Sequence, residues 1–403
     1  MKNKKAIFLS VLLVVVIGLL GACGSGSSDS ATQQQETEGD SNDANDVATF
    51  DEVTIKVANF FADDHPQNVS LREVFKPIVE EKTGGAVKVE IYPNSQIGNE
   101  EAFTEGVRNG TIEMALFGTI LSSSAPKIGV LDLPFLFRDY DHAKAVLDSE
   151  IGDEIGEEFR NLGIEPLVFS ANGFRVVSSS KPIYSLEDFK GLRLRMPNAP
   201  VYIETGKALG ASVHPLSMSE VFTALESGVV DAQENPYSTL KASGWYEVQD
   251  YVLESRHLFS TILMGVNQNF WNSLSKETQD VIMEAARETA EYEWKLLQED
   301  EEEVKQFLTE QGLEITIPDE EFKKDMAEAV KPVHQQYYDQ YDWAEELIVK
   351  IQTFELKYMK RAEDRSIKNR RGYSPTVFYY LFFSFSSNAF FPASNVSMIR
   401  STS

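Results

Sequence analysis

A single cysteine in 403 residues, Cys23, excludes an internal disulfide framework and any thiolate-based zinc site. Histidine is scarce as well. The five histidines, at positions 65, 142, 214, 257 and 334, include no pair spaced to place two metal ligands on one helix face. There is no G-x-S-x-G, no phosphate-binding P-loop and no G-x-G-x-x-G following a strand. Asp and Glu are plentiful, yet nothing in their spacing marks an acid/base couple. Nothing calls for a cofactor or a metal. Basic residues are in deficit, 37 Lys and Arg against 63 Asp and Glu, and the formal charge of −26 argues against nucleic acid as a partner. Long apolar runs are missing too, and the N-terminal one, residues 6–20, falls short of the roughly 20 residues that span a bilayer.

That run has a different use. Lys2, Lys4 and Lys5 precede it and small residues follow it, which is the layout of a secretory signal over residues 1–22. Leu20-Gly21-Ala22-Cys23 looks like a lipobox, in which Cys23 is lipidated and becomes the mature N-terminus. Residues 23–50 are then expected to form a flexible tether, because Gly, Ser, Asp, Gln, Glu and Asn bury too little apolar area to offset ordering. At the other end, residues 357–403 change character. Residues 360–403 carry seven Lys and Arg against two Asp and Glu, and the aromatic run 377–385 has neither helical nor strand periodicity. This segment is expected to be a disordered tail without function.

Between these ends the chain reads as α/β. Val53, Ile55 and Val57 alternate as a strand and deliver Asn59 and Phe60 to a loop. A helical stripe over residues 69–79 follows, with Pro77 expected to kink or shorten it. Strands at 87–91 and 112–117, with a helix starting near Asn99 and Glu100 between them, complete a βαβαβ order that implies a parallel sheet. One helix is expected over 142–162, strands over 166–170 and 261–267, and a long charged helix over 276–311. In the strand 192–196, Leu192, Leu194 and Met196 share one face and Arg193 and Arg195 the other, and Pro197 ends it. Val229 and Val230 are read as the start of a further strand running to Asn235 and stopped by Pro236.

Two strand ends therefore carry a guanidinium and an amide. Ligands of open α/β sheets sit beyond the carboxyl ends of strands, and an Arg fork with an Asn amide suits a carboxylate. On residue types alone, a surface ion pair for the Arg and a turn for the Asn remain open.

The segments N-G-F-R (172–175), S-L-E-D-F-K-G-L-R-L-R-M-P (185–197) and E-V-F-T-A-L-E-S-G-V-V-D-A-Q-E-N-P (220–236) resemble the substrate-binding proteins of tripartite ATP-independent periplasmic (TRAP) transporters, of the dicarboxylate-binding type. The likeness continues through E-K-T-G-G (81–85), P-N-S-Q-I-G (93–98) and V-L-D-L-P-F-L-F-R-D-Y (130–140), covering roughly residues 53–350. It implies a two-lobed, periplasmic-binding-protein-like fold, each lobe a mixed sheet flanked by helices, with a long helix bracing both. The first lobe would hold residues 51–173 and 258–356, and the second 174–257.

The resemblance also implies site residues. Arg195 matches an arginine that holds a substrate carboxylate, Arg175 a second ligand-contacting arginine and Asn235 a substrate-binding amide. Arg193 is expected to face away. Glu100 stands where the family often has a substrate-facing acid, Met218 where many members have a ligand-packing Phe, and Phe60 could line the first-lobe wall. The implied function is capture of an organic acid anion, such as a C4-dicarboxylate or a sugar acid, between closing lobes. Delivery to a TRAP membrane permease would follow from a lipid-anchored, extracytoplasmic position at the cell membrane. The alternative from a different class is a secreted, lipid-anchored hydrolase.

Overall fold

A computed structural model describes residues 49–354. The expected signal segment, Cys23, the tether up to residue 48 and the 357–403 tail lie outside the described residues. Among the described residues there are eleven strands: β1 Val53–Ala58, β2 Val87–Tyr92, β3 Met114–Phe117, β4 Ile164–Phe174, β5 Val176–Ser179, β6 Arg193–Met196, β7 Ser212–Pro215, β8 Ala232–Asn235, β9 Tyr251–Leu253, β10 Phe259–Asn267 and β11 Glu314–Thr316.

They form two mixed sheets, one per lobe. The first has the order β2-β1-β3-β10-β4, with β2, β1 and β3 parallel and β10 antiparallel to both its neighbours. The second has the order β11-β9-β5-β8-β6-β7. The parallel βαβαβ start and the two-lobed mixed-sheet class are thus as expected. One strand is not where it was expected: β11, placed by the resemblance with the first lobe, pairs with β9 in the second sheet.

The chain passes between the sheets at Arg175, between β4 and β5, and again between β9 and β10. The two crossings are tied together, since the Arg175 N–H donates to the Leu258 carbonyl at 2.9 Å. A third link is the helix Lys276–Glu310, whose apolar residues recur at helical spacing. Ile282, Ala285 and Ala286 pack into the core on one face of the first sheet; Ala290, Trp294 and Leu297 enter the central core; Val304 and Leu308 enter the core of the second lobe. One continuous helix therefore braces both lobes.

Several expected boundaries shift, each for a local reason. The kink at Pro77 is realised as a π-helical turn, Leu71–Phe75, directly before the helix Lys76–Lys82. Proline lacks the N–H that would continue the α pattern, and the wider turn absorbs the loss. The single helix expected over 142–162 is two, Tyr140–Leu147 and Glu150–Asn161. Ser149 breaks the run by capping the second helix at the Ile151 N–H, and Gly152 packs against the Leu147 carbonyl where no side chain fits. Val229 and Val230 do not start a strand. Their N–H groups both bond the Ala224 carbonyl and close the preceding helix, leaving Val229 53% exposed.

Candidate functional site

The cleft between the two sheets is lined by all six residues singled out in the sequence: Phe60, Glu100, Arg175, Arg195, Met218 and Asn235. Phe60 comes from a loop and Glu100 from a helix start of the first lobe, Arg175 from the crossing between β4 and β5, and the other three from strand ends or turns of the second lobe. The topology explains the convergence. β1 and β3 end towards the cleft from one side, β6 and β8 from the other.

Arg195 is third in β6 and is 3% exposed. Its Nε and Nη2 both donate to the Leu216 carbonyl, at 2.9 and 2.6 Å, which fixes the plane of the fork. Among the described residues no carboxylate lies within ion-pair distance of it, and its Nη1 has no acceptor. Burial pulls this guanidinium down to about 10, with Glu234 opposing that pull and Arg175 adding to it. A cation is held here in a fixed orientation without a counterion.

Arg175 is equally buried but ion-paired. Its Nε and Nη2 clasp the two carboxylate oxygens of Glu234, the latter at 2.8 Å, and Nη2 also reaches the Glu234 carbonyl at 2.6 Å. Only Nη1 points elsewhere, to Ser260 Oγ at 3.3 Å, and Tyr202 lies under the guanidinium. Burial disfavours its charge, but Glu234 outweighs burial and the guanidinium is held above its ordinary range. Glu234 mirrors this: burial opposes its charge, and Arg175 nevertheless keeps it below the usual carboxylate range. Sequence reading missed Glu234. It lies in the quoted 220–236 segment, 59 residues from its partner, and nothing local marks the pair.

Arg193 lies outside the cleft, but alternation is not the reason, because residues two apart on a strand share a face. Position along the strand decides it. At the start of β6 its Nε and Nη2 pair with Asp231 at 3.0 and 2.6 Å, and its Nη1 bonds the Gly228 carbonyl.

Glu100 is the first residue of the helix Glu100–Asn109, capped by Asn99. Its carboxylate turns into the cleft and accepts the Gly118 N–H on Oε1 at 2.8 Å. A Cβ at position 118 would sit 3.0 Å from that oxygen and 3.2 Å from the Phe60 ring, so glycine leaves room for both. Burial pushes Glu100 up to about 7, against the pull of the Gly118 and Ile120 N–H groups. Asn235 ends β8 with its amide oriented on Gln233 Oε1 at 2.9 Å. Phe60 stacks among Phe61 and Phe103, and Met218 opens a short 3₁₀ turn, Met218–Glu220, on the opposite wall.

The structure adds amides that the sequence reading did not single out: Asn99, Asn172 and Asn198 also line the cleft. Asn172 was legible in principle, since it begins the N-G-F-R segment. It is held from below by a defined chain. Thr239 Oγ1 donates to Asn172 Oδ1 at 2.8 Å, so His65 Nε2–H must donate to Thr239 at 3.1 Å, while His65 Nδ1 accepts the Gln67 N–H. His65 is thereby the neutral Nε2–H tautomer, in keeping with burial that pulls it down to about 3. At the cleft, Asn99 Nδ2 reaches Ser217 Oγ at 3.3 Å and joins the two lobes. Among the described residues no group of His, Cys, Asp and Glu could hold a metal ion, and no helix is long and apolar enough to cross a membrane.

The model of the bacterial extracellular solute-binding proteins of family 7 matches residues 57–340. A TRAP periplasmic solute-binding protein from Haemophilus influenzae, solved with bound L-gulonate, is 42% identical with a TM-score of 0.72, covering 74% of this chain and 98% of that one. One from Sulfurospirillum deleyianum, solved with bound succinate, is 31% identical with a TM-score of 0.72, covering 76% and 100%. The 2,3-diketo-L-gulonate-binding periplasmic protein YiaO of Escherichia coli is 35% identical over 243 residues, 60% of this chain and 74% of that protein.

Proposed function

The chain belongs to family 7 of the bacterial extracellular solute-binding proteins, and we propose that it captures an organic acid anion in the cleft between its lobes. The observation that carries this reading is Arg195: a buried, pre-oriented guanidinium with no carboxylate partner among the described residues. A planar fork held by one carbonyl is set to receive a carboxylate through two parallel N–H bonds. Asn235 and Asn172 supply neutral donors and acceptors beside it, and Phe60 and Met218 supply apolar walls. Ligand held by the second lobe recruits the first, and the closed form is favoured by its higher affinity. The bound organic acids of the solved relatives support this class, whereas the hydrolase alternative has no support.

Delivery follows from the same reading. A TRAP solute-binding protein hands its ligand to a membrane permease, and Leu20 to Cys23 supplies a lipid anchor that keeps it at the extracytoplasmic face of the cell membrane. Cys23→Ser is expected to release the protein on cell fractionation, and its continued retention in the membrane fraction would contradict the anchor.

The test of capture is a thermal-unfolding panel of C4-dicarboxylates, aldonates, uronates and keto acids on the purified protein. A ligand that binds only the native state, at a hundred times its dissociation constant, adds roughly 2.7 kcal/mol and raises the midpoint by several degrees. If no acid in the panel shifts the midpoint, the reading is wrong.

A further inference from the structure

We propose that Glu100 makes this pocket selective for acids with one carboxylate and a hydroxyl-bearing chain, and that it rejects dicarboxylates. The inference rests on the organic-acid reading above and narrows it. Its basis is the inventory of charge around the cleft. Among the described residues, Arg175 and Arg195 are the only cations that line it. Arg175 is clasped by the Glu234 carboxylate, and its remaining amine is directed at Ser260. Arg195 is therefore the one lining cation without a carboxylate partner among the described residues, and a second ligand carboxylate would meet only a guanidinium already neutralised by Glu234.

At the first-lobe wall a second carboxylate would meet a carboxylate. Glu100 Oε1 accepts the Gly118 N–H, and the Ile120 N–H also bears on the carboxylate, but no cationic side chain is ion-paired with it among the described residues. An acid-bearing wall accepts a hydrogen bond from a ligand hydroxyl and repels a ligand anion. That is discrimination by an introduced repulsion as well as by an attraction. The remaining polar lining is of the same kind. Asn172, whose Oδ1 is taken by Thr239, presents its Nδ2, Asn235, whose Nδ2 is turned to Gln233, presents its Oδ1, and Asn198 adds a further amide, a neutral mix of donors and acceptors that suits the hydroxyls of a polyol chain.

The charges bearing on Glu100 are Arg195 from the second lobe, Glu101 beside it and Asp132. Gly118 and Ile120 contribute amide N–H groups only. With Glu100 pushed up to about 7 by burial, the repulsion is strongest above neutral pH and fades as the carboxyl takes up a proton.

Calorimetry with L-gulonate and succinate, on wild type and Glu100→Gln, tests this. At about pH 8 wild type should bind L-gulonate at least roughly tenfold more tightly than succinate, and the advantage should shrink at about pH 6.5. Glu100→Gln should gain succinate affinity and lose the pH dependence of the ratio. The wild-type pH comparison stands even if the variant folds poorly. Succinate binding as tightly as L-gulonate at about pH 8 overturns the proposal while leaving organic-acid capture intact. So does an unchanged ratio in Glu100→Gln. Binding of neither acid overturns it as well, and if the wider panel is also silent the capture reading falls with it.

Discussion

Arg175 and Arg195 stand in one cleft, each 3% exposed, and the protein treats their charges in opposite ways. At the crossing between the lobes, Arg175 is closed by Glu234 into a bidentate pair on Tyr202, with His257 3.6 Å from the same carboxylate. At the end of β6, Arg195 has only a backbone carbonyl. Removing a charge from water is expensive, so a buried cation needs a partner, and where that partner comes from separates structure from function. Arg175 carries its own and secures the crossing. Arg195 lacks one, and in the proposed function an anion from outside completes it. Glu293 shows the third outcome. This carboxyl on the bracing helix is fully buried, accepts only the Ala171 N–H at 3.2 Å, and leaves Oε1 without a partner among the described residues. With no cation nearby, burial pushes it up to about 8 and it holds its proton.

The contrast can be broken first at the pair. Arg175→Met leaves Glu234 buried without its counterion and should destabilise the ligand-free protein by about 3–5 kcal/mol in denaturant unfolding. Arg195→Met, at the same burial, should change ligand-free stability by no more than about 1–2 kcal/mol, since losing bonds to Leu216 is offset by removing an unpaired charge. Equal losses in the two variants would erase the distinction between them.

A smaller effect is expected at Glu293. Its folded-state value of about 8 lies above the ordinary 4.5, so between those limits the folded protein holds a proton that the unfolded chain has released. That contribution is complete below about 4.5 and is lost as pH rises towards 8. Glu293→Gln removes the loss while keeping an acceptor for the Ala171 N–H. Relative to wild type, the variant should therefore gain stability with rising pH, by about 3 kcal/mol between about pH 5 and 8. A difference that stays flat with pH would show that Glu293 titrates normally.

Much of this was legible in the sequence where periodicity or a dense motif carried it. Alternation placed β1 and β2, the long charged run placed the helix Lys276–Glu310 and the family resemblance made it the brace, and the segments around Arg175, Arg195 and Asn235 brought three residues to one cleft. What stayed hidden depends on partners distant in sequence. Glu234 reads as one acid among 63 until Arg175 is brought against it, and His65 as a loop histidine until Thr239 arrives from the other lobe. Val229 and Val230 misled because β-branched residues next to a strand motif look like strand, while their N–H groups close a helix. β11 is too short, at three residues, for a pattern to announce its sheet.

The central claim, that Arg195 is the carboxylate anchor, is tested most directly by one calorimetric comparison. The acid giving the largest thermal shift is titrated into wild type, Arg195→Lys and Arg193→Lys. A lysine keeps the charge but loses one of two parallel N–H bonds, each worth roughly 1.5–3 kcal/mol to a charged partner. Arg195→Lys should therefore bind about ten- to a hundredfold more weakly, while Arg193→Lys, whose guanidinium pairs with Asp231 outside the cleft, should bind like wild type. Equal affinities in the two variants, or a loss confined to Arg193→Lys, would contradict the assignment.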